Sequence, residues 1–186
     1  MKFLSSLLLS LLVITSAHAK EVGGVQLKPS IEEDGKTLNL NGAGIRSKFF
    51  VDVYVASLYT TQPEKKAAPI LDGEILSAVR LDIISGLITS DKMVSTVEEG
   101  FKEATDGNVA PLQERINTFM QVFSKTEIKK GESFTLVGIP KVGVTAYRNG
   151  KEVITIQGDD FRKALFAIWL GHKPASKTLK KELLAG

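Results

Sequence analysis

LNGAGIRSKFFVDVYVASLY, residues 40–59, is the stretch that decides the fold of this chain. It begins with a glycine-rich segment, Asn41-Gly42-Ala43-Gly44, which we interpret as a sharp corner of the backbone. The residues after it are rich in Val, Phe and Tyr and alternate with period two, so residues 48–59 are predicted to form a long β-strand. Arg46 lies between the corner and the strand.

Arg46 is the first candidate for a functional residue. A guanidinium stays charged in a protein, so close to an apolar interior it requires an anionic or strongly polar partner. The partner is either a carboxylate of the same chain, such as Asp52 or Asp82, or an oxygen of a bound ligand. The sequence alone leaves both alternatives open.

The predicted strand has two different faces. Tyr54 lies on the more polar face, where its phenol is placed either to donate a hydrogen bond into a pocket or to pack in the core. Val53 and Val55 lie on the more apolar face, which we expect to meet a helical layer or the main core.

The N-terminal segment has the pattern of a secretory signal. Lys2 is followed by an apolar run over residues 3–14, and Ala17-His18-Ala19 is a small-x-small cleavage site. We expect residues 1–19 to be removed, leaving residues 20–186 as a single domain. The mature protein is then periplasmic or secreted, with no stable membrane insertion.

Composition excludes several classes of function. The chain has no cysteine, which excludes disulfides, a thiol nucleophile and a cysteine metal site. His172 is the one histidine after residue 19, so a histidine metal site is not expected. The net charge of +3 comes with no long basic block, and we predict no nucleic-acid partner and no cofactor.

Beyond residue 60 the pattern predicts an α+β fold. A strand over 75–84 is followed by two helices, the first capped by Ser90. A three-stranded meander over 134–157 contains Asn149-Gly150, which is typical of a type I′ hairpin. Two final helices follow, the first capped by Asp159 or Asp160. Strands grouped in this way indicate one antiparallel sheet with helices on one face.

Several motifs, in order along the chain, resemble the chalcone isomerase family, in particular its bacterial exported chalcone-isomerase-like branch. They are Leu40-Asn41-Gly42-Ala43-Gly44-Ile45-Arg46, Val53-Tyr54-Val55-Ala56-Ser57-Leu58-Tyr59, Leu136-Val137-Gly138-Ile139-Pro140, Asn149-Gly150-Lys151 and Gly158-Asp159-Asp160-Phe161. The resemblance implies an open-faced β-sandwich, a large antiparallel sheet with a layer of helices on one face and a cleft between them.

The resemblance also implies roles for individual residues. Arg46 matches the arginine that polarises the reacting oxygen in the enzymes of the family, and Tyr54 stands where fatty-acid-binding members often have tyrosine. Lys92 matches the lysine of a helical Tyr-x-x-Lys-x-x-x-Asn motif, whose tyrosine and asparagine are replaced by Thr89 and Thr96. Ile168 occupies the position of a polar residue that determines specificity in the enzymes.

Three hypotheses follow. In the leading one, the protein binds a small apolar or planar, fatty-acid-like ligand with an anionic or carbonyl oxygen, through Arg46, Tyr54, Lys92 and Thr96. In the second, it is an isomerase, an intramolecular lyase acting on an enone, in which Arg46 is catalytic and stabilises an oxyanion. In the third, it is an envelope interaction protein with a vestigial pocket, and Arg46 pairs with Asp52 or Asp82.

Overall fold

A curled, seven-stranded antiparallel sheet forms the frame of the protein in the computed structural model, which describes residues 20–48 and 50–186. The predicted signal segment, residues 1–19, lies outside the described residues. The strands are β1 (Glu21–Val22), β2 (Val25–Gln26), β3 (Ser30–Glu33), β4 (Lys36–Lys48), β5 (Val51–Thr60), β6 (Ser77–Ile83), β7 (Ser133–Ile139), β8 (Gly143–Arg148) and β9 (Lys151–Gln157). The large sheet has the order β3-β4-β5-β6-β7-β8-β9, so each of its strands pairs with its neighbours in sequence, and β1 and β2 form a separate hairpin.

Five helices and one 3₁₀ turn complete the described part of the chain. They are α1 (Ala68–Leu71), α2 (Ser90–Ala104), the 3₁₀ turn Ala110–Leu112, α3 (Gln113–Ser124), α4 (Asp159–Leu170) and α5 (Lys177–Leu183). The N-cap of α2 is Thr89, whose hydroxyl accepts from the Lys92 amide, so the prediction of Ser90 as the cap is one residue late. The α+β class and the open-faced sandwich, with helices on one face of the sheet, are confirmed.

The main core lies between the sheet and helices α2, α3 and α4. Five phenylalanines interlock there with ring centroids 5.0–6.3 Å apart: Phe101, Phe119, Phe123, Phe134 and Phe161. Aromatic pairs at these separations stabilise a core beyond the area that they bury.

The prediction that the more apolar face of β5 meets the helices or the main core is wrong for Val55 and Tyr59, whereas Val53, which lies where the β4–β5 register shifts, does belong to the main core. Tyr54, Ala56 and Leu58, from the more polar face, belong to the main core. Val55 and Tyr59 pack instead on the opposite face of the sheet, which the β1–β2 hairpin and the curling edge strand β3 partly cover. Because both faces of β5 are buried, hydrophobicity alone does not distinguish them.

The glycine-rich segment is a strand and not a corner. Gly42 and Gly44 lie within β4, opposite Leu58 and Ala56, and therefore on the helix-facing side. A Cβ atom at Gly42 would collide with the backbone carbonyls at the end of α5. These glycines are needed because α5 crosses β4 in close contact, while the corner itself lies beyond Lys48.

Asn41 sits in a β-bulge just before these glycines and joins three parts of the chain. It is 8% exposed, and its amide donates to the carbonyl oxygens of Glu64 and Leu183, both at 2.8 Å. Its side-chain oxygen accepts from the Glu64 amide at 2.7 Å. The bulge therefore fixes where β4 begins to run beneath α5.

The acidic pair at the start of α4 forms ion pairs, and the prediction that one of them caps the helix is wrong. Gly158 is the N-cap, and no side chain caps this end. Asp159 Oδ1 accepts from Arg162 Nε at 2.6 Å, and Asp160 Oδ2 accepts from Arg115 Nη2 at 2.6 Å. Arg162 is fully buried and also donates to the Ile70 and Leu71 carbonyl oxygens at 2.6 and 2.8 Å. It thus ties α1 to α4.

Candidate functional site

Arg46 lies near the end of β4, on the face of the sheet that carries the helices. It pairs across the strands with Tyr54 of β5, and it is half-buried. Its Nη1 donates to the Ser47 carbonyl oxygen at 2.6 Å. Strand alternation puts Arg46 on the same face as Gly42 and Gly44, whose neighbours are at the C-terminal end of α5, while Lys177, the first residue of α5, lines the same cleft as Arg46.

The carboxylates expected to neutralise Arg46 are occupied elsewhere. Asp52 accepts a hydrogen bond from the Ser47 hydroxyl at 2.6 Å. The Asp82 carboxylate accepts hydrogen bonds from Nε and Nη2 of Arg80, at 3.0 and 2.7 Å. Within residues 20–48 and 50–186, no acidic group forms an ion pair with Arg46. The internal pair with Asp52 or Asp82, one of the two alternatives that the sequence leaves open, is therefore not formed.

Tyr54 points into the core. It is 5% exposed, and its hydroxyl accepts a hydrogen bond from Trp169 Nε1 at 3.1 Å. Burial raises the pKa of the Tyr54 phenol, and the nearby Trp169 and Arg46 groups oppose that rise. Tyr54 lines neither of the two clefts described below, so its hydroxyl lies in the core and not in a ligand pocket. It instead supports Arg46 from the core side.

Arg46 lines an open cleft of about 500 Å³ between β4, α2 and the segment that joins α4 to α5. The cleft is lined by Arg46, Lys48, Thr96, Glu99, Gly100, Glu103, His172, Lys173, Pro174, Ala175 and Lys177. Lys48 Nζ and Glu99 Oε2 lie 3.5 Å apart in this cleft. Basic side chains outnumber the two glutamates, so the surroundings of Arg46 favour an anion.

An apolar groove of about 490 Å³ adjoins this cleft, between the start of β5 and the first turns of α2. Its lining residues are Lys48, Val51, Val53, Ser85, Leu87, Ile88, Asp91, Lys92, Ser95 and Thr96. Lys48 and Thr96 line both spaces, so the Arg46 cleft and the groove meet at these two residues. Both volumes fall in the range of small-molecule sites.

Three of the four predicted ligand-binding residues therefore line one continuous surface. Arg46 lies at one end, Thr96 at the junction, and Lys92 along the groove. The Lys92 ammonium donates to the Leu87 carbonyl oxygen at 3.1 Å, which ties α2 to the loop before it. The arrangement combines a cation at one end with apolar walls at the other, which suits an amphipathic molecule with an anionic head.

Sequence reasoning missed the other basic residues of the cleft. Lys48, Lys173 and Lys177 come from elements far apart in the chain and carry no motif. His172 also lines the cleft, and its Nε2 lies 3.1 Å from Asp106 Oδ1. Lys173 and His172 together lower the pKa of Asp106.

At two positions where the enzymes of the family have polar residues, this chain has residues with structural roles. Thr89 caps α2, and Ile168 is buried against Gly100 where α2 and α4 cross. Among the described residues there is no cluster of His, Cys, Asp or Glu suited to a metal ion. In the same part of the chain, each helix is too short or too polar to span a bilayer.

Comparisons with known proteins agree with this architecture. A family model described as chalcone isomerase-like matches residues 19–185. Among curated proteins, none matches the sequence. Among solved structures, the chain is similar to an Arabidopsis thaliana fatty-acid binding protein, AtFAP1, with a TM-score of 0.68 and 16% sequence identity. The match covers 87% of this chain and 92% of that one, and at this identity it shows a shared fold.

Proposed function

The chain belongs to the chalcone isomerase-like family, and from that premise we propose that it is an exported protein that binds a fatty-acid-like ligand in the cleft lined by Arg46. The family match and the fold shared with a fatty-acid binding protein support ligand binding in general terms. The choice of a fatty acid, the role of Arg46 and export are our proposals.

The observation that carries the proposal is the environment of Arg46. Its guanidinium is half-buried, has no ion pair among the described residues, and lines a cleft. Asp52 and Asp82, the acidic groups expected to neutralise it, are held by Ser47 and Arg80. A ligand carboxylate would supply the missing counter-ion through charge-assisted hydrogen bonds.

The groove defines where the rest of the ligand lies. With its carboxylate at Arg46, an acyl chain passes between Lys48 and Thr96 and lies against Val53 and Ile88. Each methylene that leaves water in this groove contributes about 0.8 kcal/mol to binding. Affinity therefore rises with chain length until the groove is filled.

Arg46 has two contacts within the protein that orient it for this role. The Ser47 carbonyl oxygen accepts from Nη1, and the buried Tyr54 phenol lies on the core side of the guanidinium. Tyr54 is in turn held by Trp169. Arg46 is thus pre-oriented, which reduces the entropy lost on binding.

Analysis of the ligand that accompanies the protein tests the proposal. The protein is purified without detergent, and its bound molecules are identified by native mass spectrometry and organic extraction. We expect a fatty acid, and after its removal we expect dodecanoate to bind more tightly than dodecanol, which lacks the carboxylate, and acetate, which lacks the chain, not to bind. Failure of every fatty acid from eight to eighteen carbons to bind the delipidated protein would refute the assignment.

Export has its own test. Expression of the full chain in a bacterium with two membranes, followed by osmotic shock, should release a protein whose N-terminus is Lys20. Recovery of the protein only from the cytoplasm, with residues 1–19 still attached, would refute this part of the proposal.

A further inference from the structure

Two of the three exposed large apolar side chains in the described residues lie at one end of the sheet. Phe50 is fully exposed, and Leu87 is 62% exposed. Phe50 is at the tip of the β4–β5 hairpin, and Leu87 is in the loop between β6 and α2. The third, Val142, lies between β7 and β8 at the opposite end of the sheet.

Phe50 and Leu87 flank the opening of the apolar groove. Val51, which follows Phe50, lines the groove together with Leu87 and Ile88. Apolar surface therefore extends from the hairpin tip, through the groove, to the loop. An exposed apolar surface that is continuous with a cavity is typical of an interaction site.

The turn itself does not account for the phenylalanine. Lys48 pairs with Val51, and Phe50 has a φ of +64°, a conformation that bulky residues avoid. Other tight hairpins of the same sheet have Asp34-Gly35 and Asn149-Gly150 at their tips, the residue types that favour positive φ. The ring makes no core contact that would offset this cost, because the side chain is fully exposed.

The charges around this end suit an anionic lipid surface. Lys92 lies on the groove, and Lys129 and Lys130 are exposed in the loop before β7. The Gly131 amide donates to the Ile83 carbonyl oxygen at 2.8 Å, which holds that loop beside the end of β6. Asp91 on the groove and the exposed Asp52, two residues after Phe50, make the patch only moderately basic.

We propose that this end of the sheet docks on a lipid bilayer containing anionic headgroups, with Phe50 and Leu87 inserted at the level of the acyl chains. Aromatic and leucine side chains are the groups that anchor proteins at this depth, and lysines bind the headgroups. Docking places the opening of the groove against the bilayer, so an apolar ligand passes between membrane and protein without entering water. The proposal extends the proposed function but depends only on the surface.

Co-sedimentation with vesicles tests the docking. The chain from residue 20, which contains all of the described packing, is mixed with vesicles of phosphatidylcholine with or without phosphatidylglycerol. We expect binding to the mixed vesicles, and we expect Phe50→Asn to weaken it tenfold or more, as loss of one inserted aromatic side chain predicts. Val142→Asn is the matched control, and we expect it to bind as the unmodified protein does.

Equal binding by the Phe50→Asn and unmodified proteins would overturn the proposal, and so would an equal loss in Val142→Asn. A second measurement uses Phe50→Trp, whose tryptophan emission should shift to the blue with mixed vesicles; an unshifted spectrum counts against insertion.

Sedimentation velocity tests whether a second copy of the chain, and not a bilayer, covers this surface. If the protein forms a dimer that Phe50→Asn dissociates, and vesicles are not bound, the surface is a dimer interface. Dodecanoate binding by Phe50→Asn stays unchanged, so failure of docking and failure of ligand binding are distinguishable.

Discussion

Arg46→Ala should weaken the binding of a fatty acid without destabilising the fold. In the structure the guanidinium has one hydrogen bond to a backbone carbonyl, contact with the Tyr54 phenol and no internal ion pair among the described residues. Hydrogen bonds to a charged group contribute about 1.5–3 kcal/mol each. Since about 1.4 kcal/mol corresponds to a tenfold change in Kd, dodecanoate should bind about 10- to 100-fold more weakly.

Dodecanol provides the matched ligand, because it has the same chain and no carboxylate. Isothermal titration calorimetry should show that dodecanol binds the unmodified protein and Arg46→Ala with equal affinity, and that only dodecanoate discriminates between them. Arg115→Ala is the protein control, since Arg115 pairs with Asp160 and lines neither the cleft nor the groove. It should leave both affinities unchanged.

The free energy of unfolding of Arg46→Ala is the third measurement in this experiment. Because no buried carboxylate loses its partner when Arg46 is removed, the free energy of unfolding should change by less than about 1 kcal/mol. The reasoning is refuted if Arg46→Ala binds dodecanoate as tightly as the unmodified protein. It is equally refuted if the variant loses several kcal/mol of stability, since Arg46 would then be an internal structural cation.

Further predictions concern the groove, the packing and the acid stability. Ser95→Trp should fill the groove and weaken dodecanoate binding at least tenfold with an unchanged unfolding midpoint; undiminished affinity would show that the chain lies elsewhere. Gly42→Ala should cost about 1–3 kcal/mol in urea unfolding, because its Cβ meets the backbone of α5, and a neutral result would contradict that close crossing. Phe50→Asn should leave the unfolding free energy unchanged or raise it by up to about 1 kcal/mol, and a marked loss would mean that the ring packs in the fold. The ion pair with Arg162 lowers the pKa of Asp159, so its contribution is present above about pH 4 and is lost as the pH falls through the lowered native pKa. Asp159→Asn should therefore flatten the fall of stability in acid, and an unaltered pH profile would rule this pair out as a cause.

Much of the fold is encoded in local patterns that can be read from the sequence. Asn149-Gly150 forms its predicted turn with φ values of +52° and +77°, because these residue types tolerate that conformation. Helical spacing predicts α2, α3 and α4, whose apolar stripes face the core. Such features depend on residues close together in the chain.

The errors concern contacts between distant elements. Gly42 suggests a turn when considered locally, but the structure requires it as a site for the close approach of α5. Tyr54 lies on the face with fewer apolar residues, yet that face receives the helices, and Trp169, 115 positions later, binds its hydroxyl. Arg162 had no sequence signal for burial, because its partners in α1 come from 91 and 92 residues earlier.

The candidate site could also be predicted from the sequence only in part. Arg46, Lys92 and Thr96 were predicted as ligand-binding residues, and the structure brings them to adjoining spaces. Whether they bind a ligand stays a prediction. The occupation of Asp52 and Asp82 by other partners depends on side-chain geometry, which the sequence leaves open.

The ionisation of a bound ligand tests the central claim most directly. Dodecanoate labelled with ¹³C at its carboxyl carbon is bound to the protein, and its chemical shift is followed through a pH titration. If a guest carboxylate neutralises Arg46, the pKa of the bound carboxyl falls below that of the same group bound to Arg46→Ala. Identical carboxyl pKa values in the two proteins would contradict the claim, because the guanidinium would then have no charge partner in the ligand.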